Sequence, residues 1–109
     1  MNSYNKYTDL QINELVATRL KKKCLLTEES VLAYMDSGYR TFDPCNNPTD
    51  AMPIIIENKI CMNYIDNDIG WCAYHFNEEK GELEIYDKGY YRAAMICFLI
   101  MKDAGNEKV

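Results

Sequence analysis

The side chains best suited to chemistry are concentrated in one turn-rich segment, residues 42–53. This segment holds all three prolines of the chain and two adjacent asparagines, and an apolar run follows it directly. Amides and hydroxyls in such a turn, with the free N–H groups of a following helix, are suited to holding a ligand or a partner's backbone. A structural turn that caps a helix is the competing interpretation, and these residue types favour it. The candidate binding residues are Asp43, Cys45, Asn46, Asn47, Thr49 and Asp50.

Cysteine and histidine are the other residue types that point to chemistry. Cys72 and His75 are three residues apart, so on a strand they point to opposite faces and cannot share a metal ion or form a nucleophile–base pair. Cys45 is the better candidate for an exposed thiol, but no activating cation lies close in the sequence, and a buried packing cysteine is favoured. The sequence therefore predicts no metal site, no cofactor and no catalytic residues, and it favours a protein that is not an enzyme.

Length and charge limit the function classes. A chain of 109 residues is the size of one domain, with residues 1–7 and 105–109 expected to be loosely ordered. The net charge of −5 disfavours nucleic acid as a partner, and the basic residues within 19–23 fit the end of a helix, where the dipole favours cations. The longest apolar run, 93–101, is far shorter than the ~20 residues of a membrane span. Five cysteines without a paired motif or a signal peptide predict a reducing, cytoplasmic location.

Two helices are predicted in the first third of the chain. Thr8 and Gln11 have the spacing of a capping box, and the apolar residues that follow predict an amphipathic helix over about 9–22. Thr27 as a cap, two acidic residues after it and Gly38 at the end predict a second, short helix. A strand over 31–34 is the alternative for this segment.

A third helix is predicted after the turn-rich segment. Thr49 or Asp50 would cap it, Pro53 would lie in its first turn, and it would end near residues 58–59. Its inward-facing residues would be Met52, Ile55 and Ile56.

The second half of the chain predicts a sheet and a buried helix. Strands are expected at 60–65, 70–76 and 83–86, and pairing of Ile65 with Gly70 and of Phe76 with Leu83 leaves both sheet faces apolar. Residues 90–102 are apolar all round, which predicts the most buried helix, ending at Gly105. The predicted fold class is α+β: a three-stranded antiparallel meander with helices packed on both faces, an α/β/α sandwich.

Several segments resemble one protein family. The run 42–60, the segment Gly70-Trp71-Cys72-Ala73 and the segment Tyr91-Arg92-Ala93-Ala94-Met95 are similar to the NinX-like family of small lambdoid phage and prophage proteins. The element order is also similar to that of phage "ABA sandwich" domains. The resemblance implies a phage or prophage origin and expression in a bacterial host, and it implies no known activity and no family catalytic residues.

The leading functional hypothesis is a non-enzymatic phage accessory protein that binds a host or phage protein in the host cytoplasm. Nine tyrosines in a short chain would supply contact area at low entropic cost. The alternative is a small-ligand-binding protein or enzyme that uses the loop from Cys45 to Asp50. Nucleic-acid binding through the basic residues within 19–23 is the third and least favoured class.

Overall fold

A computed structural model describes residues 3–106 of the chain, with side chains described for residues 4–103. Within this range lie three α-helices and two three-stranded antiparallel sheets, so the α+β class is confirmed, although the chain forms two sheets where one was expected. The elements are a 3₁₀ helix at Ser3–Lys6, α1 at Asp9–Arg19, β1 at Cys24–Leu26, β2 at Val31–Met35, β3 at Gly38–Thr41, α2 at Pro48–Glu57, β4 at Cys61–Asp66, β5 at Gly70–Asn77, β6 at Gly81–Asp87 and α3 at Tyr90–Asn106.

Helix α1 begins with the predicted capping box. The Thr8 side chain accepts a hydrogen bond from the Gln11 backbone, and the Gln11 side chain accepts one from the Thr8 backbone. The helix ends at Arg19, earlier than predicted, because Lys21 adopts a left-handed backbone with φ of 60°. The buried residues Ile12, Val16 and Ala17 form its inward face.

The segment predicted as a short helix after Thr27 is instead a meander of three strands, β1–β2–β3, which we call the first sheet. The prediction of a helix is wrong, and the alternative of a strand is close to what is found. The Thr27 hydroxyl accepts from the backbone N–H groups of Glu29 and Ser30, as a helix cap would, but here those bonds close a strand-to-strand turn. Val31 and Ala33 are buried and alternate with more exposed neighbours, which is the period of a strand.

Helix α2 starts earlier than predicted. Asn47 caps it, through a 2.9 Å bond from the Thr49 backbone N–H to Asn47 Oδ1, so neither Thr49 nor Asp50 is the cap. Pro48 takes the first helical position, where its missing N–H costs nothing, and Pro53 consequently lies inside the helix. Of the residues predicted to face inward, Ile55 is buried and Met52 packs partly buried against the core, but Ile56 is 63% exposed, and Ile54 is buried instead.

Strands β4–β5–β6 form the second sheet, which has the predicted order but a different register. Gly70 pairs with Asp66 rather than Ile65, and Leu83 pairs with His75 rather than Phe76. A register irregularity between Tyr64 and Asp66 accounts for the first shift. Because a shift of one residue exchanges the faces of a strand, Leu83 and Ile85 lie on the face of Ala73, and that face packs against α3.

The opposite face of the second sheet is open to solvent, in contrast to the predicted cover on both faces. Its residues Phe76 and Tyr86 are 54% and 47% exposed, and Cys61 is exposed beside them. The layers are thus the second sheet, then α3, then α1 and α2, with the first sheet attached to α1.

Helix α3 is the centre of the fold, as its uniformly apolar sequence predicts. Residues 93–99 are all fully buried, between the second sheet on one side and α1 and α2 on the other. The helix extends to Asn106, one residue beyond the expected end at Gly105. The expectation of loosely ordered ends falls partly on residues 1–2 and 107–109, which lie outside the described residues.

Candidate functional site

Asn13 of α1 organises the turn-rich loop. It is 4% exposed, and its side-chain amide donates to Asp43 Oδ1 at 2.7 Å. Its side-chain oxygen accepts from the backbone N–H of Cys45 at 3.0 Å. A single buried side chain therefore satisfies both a carboxylate and a buried backbone donor of the loop, which attaches the loop to α1.

The side chains of Asn46, Asn47 and Asp50 also bond within the chain. Asp50 Oδ2 accepts from the Asp43 backbone N–H at 2.9 Å. The Asn46 amide donates to Asp43 Oδ1 at 3.1 Å and to Asp9 Oδ2 at 3.2 Å. Asn47 is engaged as the α2 cap. These bonds support the interpretation of a structural turn, and binding by this loop stays a prediction.

Cys45 is buried beneath the loop and is 5% exposed. Burial, followed by the negative charge of Asp9, raises the pKa of its thiol well above the usual value. A thiol that stays protonated is a poor nucleophile. The geometry therefore argues against covalent catalysis at Cys45.

Four of the six predicted residues line one or the other of two cavities. Asp43 and Asn46 line one of about 150 Å³, with Asp9, Asn13 and Glu29 around it. Thr49 and Asp50 line another of about 280 Å³, together with Lys22, Arg40 and Phe42. Cys45 and Asn47 line neither of them.

Arg92 is the second organising residue that sequence reasoning missed. Its guanidinium donates to Asp9 Oδ1 at 2.7 Å and to Asp87 Oδ1 at 3.2 Å. It also donates to the Tyr7 carbonyl at 2.6 Å and to the Asn5 carbonyl at 3.2 Å. The signal was available, because Arg92 is a lone charge at the start of an apolar helix. Asn13, likewise, is a polar residue at helical spacing from the apolar Val16 and Ala17.

Cys72 and His75 occupy opposite faces of β5, as predicted. Among residues with described side chains, no group of three His, Cys, Asp or Glu is placed to hold a metal ion. His75 lies instead at the rim of a cleft of about 350 Å³ whose apolar wall is Leu83, Ile100 and Met101.

Two of the basic residues near the end of α1 contact other side chains of the protein. Arg19 pairs with Asp103 of α3 at 2.6 Å. Lys22 lies over the Phe42 ring, with its Nζ 5.6 Å from the ring centre.

In the part of the chain that is described, no helix is long and apolar enough to cross a membrane.

The outward face of the first sheet is apolar and exposed. Leu25 is 51% exposed, Tyr34 is 49% exposed and Tyr39 is 38% exposed, and Leu32 lies between them in the sheet. The rings of Tyr34 and Tyr39 meet edge to face at 5.3 Å. Within strands β1–β3 this face holds no carboxylate.

Comparison with known protein families identifies the class of protein to which the chain belongs, that of bacteriophage proteins. The family model described as "Bacteriophage P22, NinX" matches residues 3–102, nearly the whole length. The chain belongs to this family, which confirms the resemblance seen in residues 42–60. The comparison with curated proteins found no match.

Proposed function

We propose that this phage protein is a non-enzymatic accessory protein that binds a protein of the host or the phage in the bacterial cytoplasm. The observation that carries the proposal is the outward face of the first sheet, defined by Leu25, Leu32, Tyr34 and Tyr39. Contiguous exposed apolar residues at a protein surface mark interaction sites, because water is released when a partner covers them. Tyrosine is also enriched at protein interfaces.

The alternative, a small-ligand site at the loop from Cys45 to Asp50, is supported by one observation. Thr49 and Asp50 line the cavity of about 280 Å³, and Asn46 lines the smaller one. Against it, the loop's amides and carboxylates are already bonded to one another, so a ligand would have to compete with those bonds. An enzyme that used Cys45 as its nucleophile is disfavoured further, because the thiol of Cys45 is buried and stays protonated.

The test is capture of a partner from host lysate by tagged wild-type protein and by two surface variants. Leu25→Asp places a charge in the apolar face of the first sheet. Ile56→Asp is the matched control, because Ile56 is also exposed and apolar but lies on α2, outside that face. Circular dichroism and thermal unfolding establish that all three proteins fold equally well.

A partner retained by wild type and by Ile56→Asp, and lost by Leu25→Asp, supports the proposal. Equal retention by all three would reject the first sheet as the contact surface. Failure to capture any protein, combined with saturable binding of a small metabolite that Thr49→Val abolishes, would replace the proposal by the alternative.

A further inference from the structure

The open face of the second sheet is chemically different from that of the first. The face consists of the side chains opposite to those that pack on α3, and Phe76 and Tyr86 are about half exposed on it. No described helix covers it. Its members are Cys61, Asn63, Cys72, Tyr74, Phe76, Glu82, Glu84 and Tyr86.

This face carries negative charge, and no basic side chain within its strands neutralises that charge. Strands β4–β6 contain no lysine and no arginine, and two glutamates lie on the open face. Residues 61–87 hold seven of the 17 acidic residues and one of the 12 basic residues, a net charge of −6 where the whole chain has −5. The charge of the molecule is therefore concentrated in this sheet and its turns.

Each glutamate carboxylate on the face accepts a hydrogen bond from a tyrosine hydroxyl. The Tyr86 hydroxyl donates to Glu84 Oε1 at 3.1 Å, and the Tyr74 hydroxyl donates to Glu82 Oε2 at 3.3 Å. The bond to Glu84 raises the pKa of the Tyr86 hydroxyl above its usual value. Each carboxylate retains further acceptor positions, since an ionised carboxyl group has about four.

We propose that the open face of the second sheet binds an arginine-rich segment of a protein partner. A guanidinium group is planar, so it can stack on the rings of Phe76 and Tyr86 while it donates two parallel hydrogen bonds to a neighbouring carboxylate. An ammonium group makes neither the planar stack nor the paired bond. The face therefore selects arginine over lysine, as well as positive charge over negative charge.

A second copy of the same face is a poor occupant. Two copies face to face would bring four carboxylates into one interface with no cation from the strands, and unpaired buried charges are strongly destabilising. A nucleic acid would be repelled by the same charges. This inference goes beyond the proposed function, because it concerns a different surface and does not require the first sheet to bind anything.

The experiment measures binding of a fluorescein-labelled peptide of alternating arginine and serine by fluorescence anisotropy at low ionic strength. The comparison peptide replaces every arginine with lysine, which keeps length and charge. The test variant is Glu82→Gln/Glu84→Gln. Its matched control is Glu28→Gln/Glu29→Gln, which removes the same charge from the exposed turn between β1 and β2. Amide shifts in NMR spectra locate the contact.

The expected result is binding of the arginine peptide about ten-fold tighter than the lysine peptide, and a loss of about ten-fold in the test variant. The control variant should stay within about two-fold of wild type, because Glu28 and Glu29 lie in the turn between β1 and β2, outside the second sheet. Shifts should fall on β5 and β6. The Leu25→Asp variant should bind the peptide normally, which separates this test from that of the first sheet.

Equal binding of the two peptides, or equal weakening in both charge variants, would overturn the proposal, because it would reveal only non-specific charge attraction. Absence of binding at low ionic strength would overturn it too. Sedimentation that reveals a salt-sensitive dimer abolished by Glu82→Gln/Glu84→Gln would identify a second copy as the occupant and would also reject an arginine-rich partner.

Discussion

The two sheets of this protein share one plan and differ in chemistry. Each is a three-stranded antiparallel meander with one face on the core and one face in solvent. The first presents leucine and tyrosine, and residues 21–41 carry four basic and three acidic side chains. The second presents aromatic rings with carboxylates and a net charge of −6 over residues 61–87. The same topology thus offers two surfaces suited to different partners, which illustrates that a fold does not define a function.

The two sheets also differ in the helices against which they pack. The second sheet packs directly on α3, the helix whose residues 93–99 are fully buried. The first sheet is attached chiefly to α1 and continues into the loop held by Asn13. We therefore expect the second sheet to be the more tightly constrained of the two.

The largest expected effect compares one glycine from each sheet. Gly70 has φ of +96°, and a Cβ there would lie 2.5 Å from Lys88 Cα and 2.6 Å from the Asp87 carbonyl oxygen. Gly70→Ala should therefore lower the free energy of unfolding by roughly 2–4 kcal/mol. Gly38→Ala, with no atom within 4 Å, should change it by less than about 0.5 kcal/mol. Urea denaturation measures both, and similar values would contradict the difference in constraint.

An intermediate effect is expected from Asn13→Ala, which leaves the buried backbone N–H of Cys45 without its partner. An unsatisfied buried donor costs about 1–3 kcal/mol. Thr18→Ala is the control on the same helix, because its exposed hydroxyl bonds only to the Glu14 carbonyl. Hydrogen exchange should detect lost protection in β1–β3 and unchanged protection in β5. Uniform loss across both sheets would refute the separate support of the first sheet.

The third effect is absent at neutral pH and develops only in alkaline solution. Desolvation raises the pKa of Cys97, which lies in α3 behind the second sheet, from 9.0 to about 12. The unfolded chain therefore loses this proton first, so the free energy of unfolding should fall as pH rises from about 9 to 12. Cys97→Ala should flatten that slope, and a slope from Cys45 should remain, because its pKa is raised in the same direction.

The exposed Cys61 provides a control for the accessibility of Cys97. In the native protein, iodoacetamide should modify Cys61 well before Cys97. Equal modification of both would mean that α3 is more accessible than its burial implies.

The elements predicted correctly were those whose local signals agree with one another. The capping box at Thr8, the turn formers between β4 and β5, and the apolar circumference of α3 each point to one structure. The segment after Thr27 carried conflicting signals, since a threonine followed by acidic residues also forms a strand turn. The α2 cap was misplaced for a related reason: three residues within four positions, Asn47, Thr49 and Asp50, are all competent caps.

The position of the turn was predicted correctly from the sequence, whereas binding by its residues stays a prediction. The turn at residues 43–50 exists and leads into a helix, yet its polar groups are bonded to α1 and to one another. The partners Asp9 and Asn13 are about thirty residues away in sequence, and no local pattern reveals such a pairing. The two open sheet faces were missed because they depend on register and on which helix covers which face.

Four properties of the protein follow from its sequence alone, because each depends on composition or on short patterns of residues. They are the class of fold, the family, the anionic charge and the central position of α3. The number of sheets, the register of the second sheet, the burial of Cys45 and the exposure of Phe76 and Tyr86 depend on tertiary packing. A register irregularity of one residue beside Asp66 accompanies the shift in strand pairing. Helix α3 covers one face of the second sheet and α1 covers one face of the first, so the other face of each sheet is left in water. The surfaces on which the proposed function rests are therefore products of packing.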